Sequence, residues 1–160
     1  MGFYPLLVTS VERVRSLIHG AVRAPGEEIQ GARAEDLLAL SGRLGRDLPP
    51  QLPELLALCN GARIGPGGLF GQRPEEPRID SPSYLELFPE WTAKGWIPVA
   101  GDGCGNCYVL LADGSVGFVD TMSDPVALDD RRHADLFGFV EFILIDDQTE
   151  TERTSARSCR

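Results

Sequence analysis

WIPVAGDGCGNCYVLLADGSVGFVD, residues 96–120, is the stretch of this 160-residue sequence that decides the fold. It holds three short apolar runs separated by turn residues, the pattern of neighbouring antiparallel strands. The middle run, 108–112, is apolar on both faces and is typical of a central strand that is covered on both sides. Asp113-Gly114 follows it and predicts a hairpin turn of type I′. The stretch therefore predicts the centre of a largely antiparallel sheet.

Outward from this stretch, apolar residues recur at helical spacing. Thr9-Ser10-Val11-Glu12 predicts a capping box with Thr9 as the N-cap. Ser81-Pro82 predicts another helix start, with Ser81 as the N-cap and proline in the first turn. The predicted helices occupy about residues 11–21, 34–44, 48–61, 81–88 and 134–145.

These elements predict a single α+β domain over residues 1–145, in which helices pack against a mixed, largely antiparallel β-sheet. Residues 146–160 have almost no apolar side chains, so we expect a polar, mobile C-terminal tail. The apolar runs are too short for a membrane span, and the first residues lack the basic region of a signal peptide. We therefore expect a cytoplasmic protein with no membrane contact.

The acidic excess of the sequence is confined to its later part. The formal net charge is −9 at pH 7, yet residues 1–48 carry six acidic and six basic side chains. Residues 49–160 carry 18 acidic and 9 basic side chains. A nucleic-acid ligand is disfavoured, because such proteins normally present a basic surface. A basic protein partner fits this charge, and a solubilising acidic surface is the alternative.

Cys104-Gly-Asn-Cys107 is a closely spaced cysteine pair in an acidic segment. Redox chemistry would favour an electropositive setting, and zinc would need a second pair of ligands. We interpret Cys107 as a small strand residue and Cys104 as a loop residue, with a chance metal or disulfide and a working thiol or metal site as alternatives. His133 has Asp129 and Asp130 nearby but no evident nucleophile, so no catalytic residue, metal ligand or cofactor is predicted.

Trp91 and Trp96 flank Lys94 just before the central stretch. Such tryptophans usually belong to the core or its rim. The alternative is that they are aromatic anchors of a protein interface, where tryptophan is enriched.

Five short motifs occur in a specific order along residues 34–145. They are Leu48-Pro49 through Asn60-Gly61, then Gly68-Leu69-Phe70-Gly71, then Trp96-Ile97-Pro98-Val99 with Asp102-Gly103-Cys104-Gly105-Asn106 and Tyr108, then Gly117-Phe118-Val119-Asp120, and last Phe139-Val140-Glu141-Phe142-Ile143-Leu144. In this order they resemble the SUKH superfamily, the immunity and cell-wall-assembly-regulator proteins of the Smi–Knr type.

This resemblance implies an α+β domain without enzymatic activity. It implies a bacterial immunity protein that neutralises a cognate toxin, for example a basic nuclease domain. An acidic surface fits that role, because a nuclease carries basic groups for its substrate's phosphates. A general intracellular interaction hub of the same fold is the first alternative, and a small metal or thiol protein using Cys104 and Cys107 is the second.

The expected partner-binding residues follow from their positions at the corners of the predicted sheet and beside it. They are Trp91, Trp96, Asp102, Asn106, Asp113, Asp120, Asp124, Asp129 and Asp130.

Overall fold

The computed structural model describes the backbone of residues 8–153 and the side chains of residues 8–145. This part of the chain contains six α-helices, a short 3₁₀ turn at Pro77–Ile79 and four strands. The helices are α1 (Val11–Gly20), α2 (Ala34–Leu44), α3 (Gln51–Leu58), α4 (Ser81–Leu87), α5 (Glu90–Ala93) and α6 (Leu136–Arg153). The strands are β1 (Ile97–Gly101), β2 (Cys107–Leu110), β3 (Val116–Val119) and β4 (Arg132–His133).

The four strands form an antiparallel sheet in the order β1-β2-β3-β4. The three predicted strands are confirmed, and Tyr108 of β2 pairs with Phe118 of β3. Strand β4 was not predicted. Its two residues follow a turn-rich segment and become a strand only by pairing with Val116 and Gly117.

The turn between β2 and β3 is not of the predicted type I′. Gly114 has a φ of 87°, but no residue other than glycine has a positive φ in the described part of the chain. A type I′ turn requires positive φ at both central residues, so Asp113 excludes it. Instead, Asp113 Oδ1 accepts a hydrogen bond from the Ser115 N–H at 2.9 Å, which closes an Asx turn.

Alternate strand residues enter two separate cores. Tyr108 and Phe118 face a core made with α1, α3 and α6. Val109 and Val119 face the other core, which contains Trp91. The sheet is therefore the middle layer of the domain, and the prediction that β2 is covered on both faces is confirmed.

Both tryptophans belong to the second core. Trp91 is fully buried, and its indole N–H donates to the Pro125 carbonyl at 2.6 Å. Trp96 is 9% exposed and packs against Trp91 with ring centroids 6.2 Å apart. Both rings are buried in this conformation and not available to a partner. We therefore do not include Trp91 and Trp96 in the candidate contact surface.

Two predicted N-caps are displaced by one residue. The cap of α1 is Ser10 rather than Thr9, and its hydroxyl accepts from the Arg13 N–H at 3.1 Å. The cap of α4 is Asp80 rather than Ser81. Ser81 instead donates its hydroxyl to the Pro98 carbonyl at 2.6 Å, which holds α4 against β1.

Helix α6 continues to Arg153, so the predicted helix end at residue 145 is wrong. Lack of apolar residues limits burial, but polar residues such as Glu and Gln propagate a helical backbone well. Residues 154–160 lie outside the described residues, and the mobility of the tail stays a prediction.

Candidate functional site

Asp102 and Asn106 stabilise the β1–β2 loop and join it to the chain after β3. Asp102 Oδ1 accepts from the N–H groups of Cys104 and Asn106 at 2.7 and 3.0 Å. Asp102 Oδ2 accepts from the Asn106 side-chain amide at 2.8 Å. Asn106 Oδ1 in turn accepts from the Thr121 N–H at 3.0 Å. Both half-buried side chains are thus engaged inside the protein, where they position the neighbouring loops.

The same loop and the end of β1 lie in close contact with the backbone of residues 66–68. A Cβ atom on Gly67 would overlap the backbone nitrogen of Gly103, and Gly103 itself has a φ of 84°. Only glycine satisfies both conditions, since it has no Cβ and adopts positive φ without strain. Gly67 and Gly103 therefore allow the two backbone segments to pack closely.

Asn60 gives the Asn-Gly motif at the end of α3 a second role besides ending the helix. Its buried side chain accepts from the Gln72 N–H at 2.8 Å and donates to the Gln72 carbonyl at 3.3 Å. The amide thereby pairs with the backbone much as a strand residue would. This motif is structural, and it fixes the loop that leads towards α4.

The other predicted carboxylates close surface turns. Asp120 accepts from the N–H groups of Met122 and Ser123 at 3.1 Å each. Asp124 accepts from Val126 at 3.1 Å, and Asp129 accepts from Arg131 at 2.7 Å. At Asp113, the hydrogen bond from the Ser115 hydroxyl is the main cause that lowers the pKa of the carboxyl group.

These residues lie at two ends of the sheet and along the side between them. Asp102, Asn106 and Asp120 meet at one end of the sheet, whereas Asp113 lies in the turn at the opposite end. Asp129 lies between these ends along the outer side of β3, because its N–H donates to the Phe118 carbonyl at 2.9 Å. We use the name acidic edge for the surface carboxylates of this side of the sheet: Asp113, Asp120, Asp124, Asp129 and Asp130.

Arg131 and Arg132 directly follow this segment, and both side chains are exposed. Arg131 also lies against the sheet. Its guanidinium lies 4.3 Å from the centroid of the Phe118 ring. It also forms an ion pair with Asp129 at 3.3 Å. Asp130 is exposed beside it. The acidic edge therefore carries five carboxylates beside two exposed arginines, one of which is paired with Asp129.

Sequence reasoning missed two exposed apolar side chains of α6 that adjoin this edge. Phe142 is 48% exposed, and its ring centroid lies 4.8 Å from that of His133 in β4. Ile145 is 37% exposed. The sequence could have identified Phe142. It lies outside the apolar stripe that includes Val140 and Ile143, so burial against the core does not account for an apolar side chain at this position.

Cys107 has the structural role that was favoured from sequence. Cys107 is a buried strand residue, whereas Cys104 lies in the exposed loop. Burial raises the pKa of the Cys107 thiol to about 12, and burial does the same at Cys59. These two thiols are therefore protonated at neutral pH, and the thiolate needed for redox chemistry or metal binding is disfavoured. No group of potential metal ligands occurs within the described residues.

The protein is a small α+β domain with helices on both faces of an antiparallel sheet and polar motifs that fix its loops. Its distinctive surface is the acidic edge of the sheet. A model of the SMI1/KNR4 family (SUKH-1) matches residues 31–152, and the chain belongs to this family. The match spans all five motifs that carried the resemblance. The comparison with curated proteins returned no match. In the part of the chain described, no helix has the length and apolar character needed to cross a membrane.

Proposed function

We propose that this protein is a non-enzymatic immunity protein that neutralises a cognate protein toxin in the cytoplasm by binding it through the acidic edge. Membership of the SMI1/KNR4 family supports the general role. The observation that carries the choice of surface is the excess of carboxylates on the outer side of β3, where the Asp129 N–H donates to the Phe118 carbonyl and Asp130 is exposed. The neighbouring Arg131 is engaged with Phe118 and Asp129.

The charge of this surface fits a basic partner such as a nuclease domain. A nuclease holds phosphates with Lys and Arg, and carboxylates placed on those groups both block the site and accelerate association. The same carboxylates repel nucleic acid itself. Direct binding of nucleic acid is therefore no part of this proposal.

Phe142 is the proposed apolar anchor next to the charges. Half-exposed aromatic side chains contribute strongly to binding when a partner covers them, and surrounding charges contribute mainly to rate and specificity. Because the ring is already held against His133, little conformational freedom is lost on binding. We expect Phe142→Gln to weaken toxin binding by roughly tenfold with little effect on the fold.

The experiment is co-expression of this protein with the toxin domain encoded beside it. We expect growth to be restored by the natural protein and impaired for the double variant Asp129→Asn and Asp130→Asn. Each substitution removes charge while leaving an amide oxygen that can accept the same backbone hydrogen bonds. Glu28→Gln with Glu35→Gln is the matched control, since both residues are exposed and outside the acidic edge.

Unchanged killing in the presence of the natural protein contradicts the immunity role. Equal protection by the Asp129/Asp130 variant and the control contradicts the acidic edge as the binding surface. A genome without a toxin gene beside this one favours the alternative, an interaction hub of the same fold.

A further inference from the structure

A groove of about 250 Å³ opens at the end of the sheet that carries the β2–β3 turn. We call it the turn-end groove. Apolar walls come from the residues just before α3, from β2 and from the residue after β4. They are Pro49, Pro50, Leu110 and Ala134, and the lining is completed by Gln51, Gly114 and the two carboxylates Asp113 and Asp135.

The turn-end groove differs in charge from three other surface cavities. One beside α1 is lined by Arg15, His19 and Arg23. Another, near Asn60, includes both arginines and carboxylates, and a third, between glycines, includes Arg78. The turn-end groove has no cationic side chain in its lining. Arg132 lies outside this lining, yet it is close enough to contribute to the lowered pKa of Asp113. Within the lining the charged groups are carboxylates, which favours a ligand that is both apolar and positively charged.

The two carboxylates are not equally available. Asp135 Oδ1 accepts from the Gly138 N–H at 2.8 Å and so caps the start of α6, and its Oδ2 accepts from the Gln51 side-chain amide of α3 at 3.2 Å. Asp113 uses Oδ1 for the N–H and hydroxyl of Ser115. Its Oδ2 receives no hydrogen bond from residues 8–145. Asp113 therefore offers an open acceptor, and Asp135 adds negative charge to the groove.

The groove is continuous with the acidic edge. Ala134 and Asp135 directly follow β4, and Asp113 belongs to both surfaces. The strands between the ends of the sheet contain only four residues in β2 and β3, roughly 13 Å of chain. A standard interface covers about 800 Å² on each partner, so one partner can reach both the edge and the groove.

We propose that the turn-end groove binds a lysine or arginine side chain of the partner protein. The methylene stem lies along Pro49, Pro50 and Ala134, and the charged head donates to Asp113 Oδ2. Long basic side chains pair apolar contact with an accessible charge in this manner, and hydrogen bonds between ions are stronger than neutral ones. The identity of the partner rests on the proposed function, whereas the preference of the groove for a cation does not.

The test uses the full chain and the probe Nα-acetyl-arginine N-methylamide, titrated while backbone amide signals are followed by NMR. The matched control probe is the citrulline analogue, which has nearly the same shape and no charge. We expect saturable shifts at the amides of Gly114 and Ser115 with the arginine probe and much weaker shifts with citrulline. Asp113→Asn keeps an acceptor for Ser115 and should weaken arginine binding about tenfold. Ala134→Leu should reduce it by filling the groove.

Absence of shifts at these amides up to the solubility limit of the probe overturns the proposal, as does an equal response to citrulline. Spectra of each variant without probe establish that the remainder of the fold is unchanged. If the probe fails while Asp129 and Asp130 still affect protection from the toxin, the groove is refuted and the immunity role stands. If the probe binds while the natural protein gives no protection, the immunity role is refuted and the cation site stands.

Discussion

Asp80 offers the sharpest test of what holds the layers of this domain together. The carboxylate is completely buried and receives two hydrogen bonds from Arg43 of α2, at 2.8 and 2.7 Å. It also accepts from the Arg73 N–H at 2.9 Å and caps α4 through Ser83. One side chain therefore joins α2, the loop before α4 and α4 itself. We expect Asp80→Asn to destabilise the fold strongly.

The magnitude follows from which bonds the asparagine can keep. Its amide oxygen can still accept from Arg73 and from one nitrogen of Arg43. Its NH₂ group replaces Oδ2, which accepts from the other Arg43 nitrogen and from the N–H of Ser83. Breaking a buried, hydrogen-bonded ion pair costs about 3–5 kcal/mol. For a domain of this size that corresponds to a fall in Tm of roughly 6–20 °C.

The assay is urea unfolding followed by circular dichroism, with Arg43→Met and the double variant to complete a mutant cycle. A coupling free energy above about 1 kcal/mol is expected, because the two side chains share two hydrogen bonds. Glu35→Gln serves as a surface control. A loss below about 1 kcal/mol for Asp80→Asn, or additive effects of the two substitutions, would refute the assignment of this ion pair as the link between α2 and α4.

Three further outcomes follow from the same contacts. Burial alone would raise the pKa of Asp80, but hydrogen bonds from Arg43 and Ser83 hold the pKa below the ordinary 3.8. The contribution of Asp80 to stability should therefore be complete above that pH and lost as the pH falls further. Acid unfolding of the natural protein and of the Asp80→Asn variant can be compared to test this. Asn106→Ala should cost about 1–3 kcal/mol in urea unfolding, because Thr121 and Asp102 lose their partner. Cys107 should be modified by a disulfide reagent only after denaturant is added, because a buried thiol with a raised pKa reacts slowly. Rapid modification of Cys107 in the folded protein would contradict its burial.

The parts of the fold that depend on local patterns were predictable. Apolar spacing and Gly45 gave α2 its bounds of Ala34–Leu44, and alternation placed Phe118 and Val119 on opposite faces of β3. The order of the five family motifs likewise predicted the order of the helices and strands. For α2 and β3 the determining residues lie within a few positions of one another, so one sequence window contains the cause.

Features that depend on distant partners were not predictable. Ser81 and Asp80 are both good N-cap residues. Asp80 is the cap, and its side chain is held by hydrogen bonds from Arg43, which is far away in sequence. Strand β4 exists only because β3 pairs with it. The position of Asp129 along the outer side of β3, between Asp113 and Asp120, depends on its hydrogen bond to the Phe118 carbonyl. Among the surface residues that were not predicted, only the exposed apolar Phe142 could have been identified from the sequence.

The most direct test of toxin neutralisation through the acidic edge is the association rate between this protein and the toxin domain encoded beside it, measured against salt. We expect rapid association at low ionic strength that slows steeply as the Debye length shrinks from about 10 Å at 0.1 M to about 3 Å at 1 M. Asp129→Asn with Asp130→Asn should slow association at low salt and flatten this dependence, whereas Glu28→Gln with Glu35→Gln should do neither. Binding whose rate is independent of salt would remove the electrostatic role of the edge, and absence of binding would contradict the immunity function itself.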